Sequence, residues 1–165
     1  MLHDSTEREY TYRISQNNRE LIRKLSSIID DLGFNSWIYE EGNRGVHVVE
    51  FSKQILKGFE IKSKLEKRDY IRGYFDAEGG IPKSPSVRFY IYFAQKDKKD
   101  LEEVKNFLGE HDISTGKIHR PSKKAKPDYW RFYVSSKSHQ KFADDIGSWH
   151  PVKNQLLREM IQSAP

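Results

Sequence analysis

The stretch Tyr70-Ile71-Arg72-Gly73-Tyr74-Phe75-Asp76-Ala77-Glu78-Gly79-Gly80 decides how this chain is read. Residues 68–77 have the pattern of a helix, and the paired glycines after Glu78, followed by Pro82, end it. Gly73 and Ala77 lie four apart on one helix face, where small side chains let a second helix approach closely. Glu78 falls beside the unsatisfied carbonyls at the helix end, an unfavourable place for a carboxylate unless a cation offsets it. Mg²⁺ is such a cation. It takes carboxylate and carbonyl oxygens and keeps waters, so Glu78 and a nearby carbonyl form a partial site that phosphate or a second acid completes. The plainer alternative is an amphipathic helix with a glycine stop and a solvated Glu78.

Upstream, residues 10–15 alternate as a strand, and residues 20–32 carry an apolar stripe at helical spacing closed by Gly33. Residues 35–40 and 46–51 read as a hairpin, 52–58 as a short helix, and 61–67 as a charged connection. Downstream, residues 87–94 read as a strand. Residues 101–108 form a helix that Asp97 or Asp100 can cap. Residues 116–119 and 129–135 are strands joined by a basic loop, and 138–146 and 151–161 are closing helices, with Pro151 at a helix start. A shift of 79 positions lays Tyr12 on Ile91, Ile14 on Phe93, Gln16 on Gln95 and Leu25 on Val104, and the order strand, helix, hairpin recurs. With an insertion in the second hairpin loop, residues 46–51 then answer to 130–135. The period implies a pseudo-twofold protein with an incomplete first repeat, residues 1–67, lacking a leading helix, and a complete second repeat, residues 68–165.

Composition narrows the function classes. With 165 residues, the chain suits one domain or two small fused repeats, and nine Phe, nine Tyr and three Trp supply large buried areas. The absence of Cys excludes a disulfide scaffold, a thiol nucleophile and Cys-ligated metal, and fits an intracellular setting, cytoplasmic or organellar. No apolar run is long enough for a membrane span, and the polar, acidic start MLHDSTEREY is not a signal peptide. His47, His111, His119, His139 and His150 have no zinc-ligand spacing, and no glycine loop has the form of a nucleotide hydrolase. Residues 1–80 carry 13 basic and 14 acidic side chains, whereas residues 81–165 carry 16 and 10. The positive field of the second half makes nucleic acid the first partner to consider.

Residues 71–79, IRGYFDAEG, resemble the nonapeptide of the LAGLIDADG homing endonucleases, and their context fits. A strand ends in Gln95-Lys96-Asp97, a helix and strand pair follow, and Ile146-Gly147-Ser148-Trp149-His150-Pro151-Val152-Lys153 is similar to the family's late segment. The resemblance implies an α+β fold of αββαββα units whose motif helices pack at a pseudo-twofold axis, with antiparallel sheets forming a saddle over double-stranded DNA. It implies site-specific hydrolysis of phosphodiester bonds with a divalent metal, Mg²⁺, in the service of intron or intein homing. Glu78 matches the metal-binding acid and Asp76 a more structural one. Gln95 matches a strand-end glutamine that orders water near the cleaved phosphate, and Lys153 a basic residue near the site. The family motif's second acid is Glu here, one methylene longer than Asp.

Strand alternation points to the DNA face independently of the resemblance. Val87, Phe89, Ile91 and Phe93 face one way, and Arg88, Tyr90, Tyr92 and Lys96 are expected on the other. Likewise Arg131 and Tyr133 oppose Trp130 and Phe132, although an ordinary half-buried sheet has the same alternation. Lys117, His119, Arg120, Lys123, Lys124, Lys126 and Arg131 add a basic loop suited to phosphate. Cleaving both strands needs acids from two motif helices, and the sequence offers one. The simplest expectation is a homodimer in which two 68–77 helices pack through Gly73 and Ala77 and bring two Glu78 carboxylates together. A non-cleaving DNA-binding regulator of the same fold, or an intron RNA splicing cofactor (maturase), are the other readings.

Overall fold

The computed structural model describes residues 5–84, 87–121 and 128–162, and divides the chain into two compact units, residues 1–60 and 61–165. Lys123, Lys124 and Lys126 lie outside the described residues.

In the first unit, β1 (Ser5–Glu7), β2 (Thr11–Gln16), α1 (Arg19–Asp31), β3 (Ser36–Glu41) and β4 (Val46–Ser52) form a sheet of order β1-β2-β4-β3, antiparallel throughout. Asn18 caps α1 by accepting from the Leu21 N–H at 2.9 Å, and Leu21, Ile22, Leu25 and Ile29 are buried along its apolar stripe. Gly33, at φ 81°, turns the chain out of the helix, a backbone conformation that glycine adopts without strain. The hairpin of β3 and β4 forms as expected. Residues 52–58 yield only a 3₁₀ turn, Lys53–Leu56. β1 was missed by alternation because it is three residues long and two of them are exposed.

The second unit begins with α2 (Lys64–Glu78), four residues earlier than the apolar pattern indicates. The reason is a capping box: Ser63 accepts from the Glu66 N–H while Glu66 accepts from the Ser63 N–H, so 64–67 are the first helical turn rather than a connection. Next come β5 (Gly79–Gly80), β6 (Tyr92–Gln95), α3 (Lys98–Glu110), β7 (Trp130–Tyr133), a one-turn α4 (His139–Lys141) and α5 (Pro151–Gln162). The sheet order is β5-β6-β7, again antiparallel. Phe93 stacks on Phe132 with centroids 5.1 Å apart, and Phe142 meets Phe75 edge-on at 5.0 Å, at the centre of the unit's core.

The repeat is plainest in the helices. α1 and α3 are each 13 residues long, start and end 79 positions apart, and take their caps from Asn18 and Asp97 at that same spacing. The ladders shift one correspondence: Ile14 pairs with Val49 and Phe93 with Phe132, so Val49 answers to Phe132 and not to Tyr133.

Three expected elements change form. Residues 87–91 stay outside the named strands: β5 has only two residues and β7 ends opposite Tyr92, and beyond it the Ile91 carbonyl accepts from the Val134 N–H at 2.9 Å. In place of a strand over 116–119, residues 115–119 meet β7 and the residue after it through two isolated bridges, Thr115 to Val134 and His119 to Arg131. Four steps along one segment oppose three along the other, which is a β-bulge rather than a regular strand. Residues 138–146 form a 3₁₀ turn, α4 and a π-turn, Phe142–Ile146, ended by Gly147.

Candidate functional site

The C-terminal end of α2 is held from one side by the segment leading into α5. The Asp76 carboxylate accepts from the Ser148 hydroxyl and from the Trp149 N–H, the latter at 2.9 Å. Arg72, one turn earlier on the same helix face, donates to the carbonyl oxygens of Ile146 and Asp145 and lies 5.5 Å from the Trp149 ring centroid. Lys153 donates from Nζ to the carbonyl oxygens of Phe75, Asp76 and Gly79 at 2.9, 3.0 and 3.0 Å. A cation therefore already stands at the helix end. The need inferred for a metal from the helix dipole alone is met by Lys153.

Gly79 and Gly80 carry the chain from this helix end into the sheet at close quarters. A Cβ on Gly79 would stand 2.7 Å from the Phe75 carbonyl oxygen, and one on Gly80 would meet the Tyr92 ring at 2.6 Å. The glycines thus permit β5 to pair with β6 immediately after the helix, which sets Glu78 over the sheet.

The register gives that sheet two distinct faces. Phe93 opposite Phe132 points to the core; Tyr92 opposite Tyr133 and Ala94 opposite Arg131 share the outward face. The Arg131 guanidinium lies 4.6 Å from the Tyr92 centroid and donates to the Tyr133 hydroxyl at 3.4 Å, and His119 stacks on Tyr133 at 5.8 Å. Tyr90 packs against Tyr92 and Tyr133. Above this face is a cleft of about 240 Å³ lined by Glu78, Arg131, Tyr92 and Tyr129, among others. A half-buried carboxylate and a half-buried guanidinium share it.

The other sequence-nominated residues distribute as follows. Arg88, Lys96, Lys117, His119 and Arg120 are exposed, and Arg120 also lies 4.5 Å from the Trp130 centroid, which Lys98 approaches at 5.5 Å. Gln95 sits at the strand end on the face of Phe93, accepts from the Lys96 N–H at 2.7 Å, and is not among the residues lining the Glu78 cleft. Gly73 is buried and Ala77 half-buried. The Asp76 clamp and the three-carbonyl seat of Lys153 escaped sequence reasoning, because their partners lie more than 70 residues away.

A divalent cation was tested against this donor set. Mg²⁺ is held through one or two carboxylates plus substrate phosphates and water. Glu78 supplies one carboxylate, while the carbonyls of Phe75, Asp76 and Gly79 already accept from Lys153. No group of three or more His, Cys, Asp or Glu side chains placed to hold a metal occurs among the described residues. One chain thus offers a single carboxylate, Glu78, that could hold such a cation, with the remaining positions left to phosphate, water or a second acid.

Comparison with known proteins agrees with the geometry. The family model described as LAGLIDADG-like domain matches residues 3–62 and again residues 65–147. No curated protein matches in sequence. Among solved structures, I-DmoI in complex with DNA and Mn is similar at a TM-score of 0.63 and 19% identity, covering 86% of each chain. I-DmoI in complex with DNA and Ca is similar at 0.65 and 20%, covering 94% of this chain and 88% of that one. Full-length DUF199/WhiA from Thermatoga maritima is similar at 0.67 and 14%, covering 98% of this chain and 56% of that chain. At these identities the likeness is one of fold. Among the described residues, no helix is long and apolar enough to cross a membrane.

Proposed function

The chain belongs to the LAGLIDADG-like domain family, and from that premise we propose that it is a site-specific endonuclease for double-stranded DNA, working with a divalent metal such as Mg²⁺. The observation that carries the reading is the shared cleft of Glu78 and Arg131 on the outward face of the second unit's sheet. Phosphodiester hydrolysis needs a carboxylate for the metal and a cation for the developing charge on phosphate, and both side chains open into one space. Tyr92 lines that space, Tyr90, Tyr133 and His119 add ring faces and polar tips on the same sheet face suited to groove edges, and Arg88, Lys96, Lys117 and Arg120 are exposed cations for backbone phosphates. Gln95, on the face of Phe93 and outside the Glu78 cleft, takes no part in this reading. A bound divalent cation supplies Lewis acidity and a more acidic water. Glu78 holds it, Arg131 meets the phosphate, and a second Glu78 from a second copy completes the donor set through helices apposed at Gly73 and Ala77.

The test is cleavage of a plasmid library in Mg²⁺ or Mn²⁺ by the full chain, with light scattering to count copies on DNA. The reading expects double-strand cuts by a dimer, lost in Glu78→Gln with binding retained. Binding without cuts, unchanged by Glu78→Gln, overturns the nuclease and favours the non-cleaving DNA-binding regulator. That second reading draws on the single carboxylate that one chain offers.

A further inference from the structure

We propose that Lys153 is a positioning residue: its ammonium locks the last turn of α2 and so fixes the direction in which Glu78 leaves the helix, and it does not contact DNA. The resemblance to homing endonucleases implies a basic residue near the reacting phosphate at this position, and the geometry assigns the side chain elsewhere. A lysine ammonium has three N–H donors, and the carbonyls of Phe75, Asp76 and Gly79 take three hydrogen bonds from Nζ at 2.9, 3.0 and 3.0 Å. Nζ also lies 4.8 Å from the Phe75 ring centroid, so apolar surface covers part of the charge. The three carbonyls bracket Glu78, two before it and one after it. The Phe75 carbonyl accepts from the Gly79 N–H as well, so it is shared between the helix cap and Lys153.

The same turn is also held by its side chain from the same segment, through Ser148 and Trp149 on the Asp76 carboxylate. Residues 148–153 therefore grip the turn by side chain and by main chain. An arginine cannot replace Lys153 here. Its planar fork spreads its donors in one plane, whereas the ammonium converges on three oxygens around a single nitrogen. The inference rests on Glu78 being the working acid, because positioning matters to rate only if the positioned group reacts.

The experiment uses the full chain with Lys153→Met and Lys153→Arg. In the wild type, the Lys153 ammonium is expected to give a slowly exchanging NMR signal that does not move when a target duplex is added. Single-turnover cleavage should fall roughly a hundredfold in both variants after correction for folded fraction, the scale of loss when a reacting group is misplaced by about an ångström. DNA affinity and its salt dependence should stay within twofold of the wild type. A contact to phosphate would instead reduce the salt slope by about one and shift the ammonium signal on binding, and either result overturns the proposal. Unchanged cleavage in Lys153→Met overturns it too. If the variants do not fold, the wild-type ammonium signal decides. If the wild type neither binds nor cuts DNA, the nuclease reading fails by itself; fast ammonium exchange, or full amide protection of Gly79 and Gly80 in Lys153→Arg, then counts separately against the lock.

Discussion

The two sheets share one central antiparallel pairing, β2 with β4 and β6 with β7, and differ on the faces that carry Arg13 and Tyr92. In the first unit, the row that answers to Tyr92 and Tyr133 is Arg13 and Glu50, and the row that answers to Ala94 and Arg131 is Ser15 and Val48. Arg13 is paired with Glu41 at 2.5 Å, and Glu50 accepts from Thr11 and Tyr39 at 2.6 and 2.9 Å and lies 3.7 Å from Arg8. The charges of that face are spent on one another. In the second unit, Arg131 has a tyrosine ring and a tyrosine hydroxyl around it, and no carboxylate among the described residues forms an ion pair with it. A guanidinium half withdrawn from water without an acid leaves its charge to an incoming anion. The same fold thus carries one face that is electrostatically closed and one that is open.

The largest test of this contrast is in the cores. Phe93 lies where Ile14 lies in the first unit, but it stacks on Phe132 and touches Tyr74, Phe75 and Phe142. Phe93→Ala, on a scale of about 3–5 kcal/mol, should cost more than Ile14→Ala, on a scale of about 2–5 kcal/mol, read from denaturant melts. Equal costs would show that the aromatic cluster adds nothing to the second unit. Next in size is the arginine comparison. Arg131→Gln should weaken duplex binding roughly tenfold, the loss of one charged contact, and lower the salt slope by about one, while Arg13→Gln should leave both nearly unchanged. Equal losses at the two positions would erase the distinction between the faces. The reverse experiment opens the closed face: Glu41→Gln releases Arg13 and should strengthen binding roughly twofold to threefold, the scale of an exposed ion pair. Fluorescence anisotropy against salt concentration measures both arginine effects and this gain.

Much of this architecture was legible because it is periodic or local. The apolar stripe and caps of α1 and α3, the Gly-Gly stop of α2 and the alternation that sends Tyr92, Arg131 and Tyr133 to one face are all written within a few residues. The start of α2 was less so, since Lys64 to Lys67 lack apolar residues in a helical pattern apart from Leu65, and the signal was the Ser63 and Glu66 box. The bulge opposite β7 depends on a difference of one residue between two segments that meet only in the fold. The site divides the same way. Glu78 and Arg131 were each legible as chemistry, but their meeting in one cleft, and the seat of Lys153, depend on register and on contacts across most of the second unit.

Acid should separate the two units, and here the expected effect is smallest. Burial holds the His139 imidazole below its ordinary value of 6.5, against the opposing bond to the Val134 carbonyl, and the nearby Arg88 charge pushes the same way as burial. Burial and then the Lys153 charge depress His150 likewise, with Asp76 opposing. A group whose folded pKa lies below its unfolded value contributes stability that is complete above the unfolded value and is lost as pH falls through the folded one. The second unit should therefore begin to loosen as pH falls below 6.5. In the first unit, the Arg13 hydrogen bond lowers Glu41, and the Thr11 hydrogen bond, joined by Tyr39 and the arginine charges, lowers Glu50, each against a smaller desolvation effect. By the same sign, the stability from those carboxylates is intact above 4.5 and declines only below it. Amide hydrogen exchange should show protection falling first around Val134 and the turn at His150, and at lower pH along β2 and β4. If both units lose protection over one shared pH interval, the open and closed faces do not differ in what holds them.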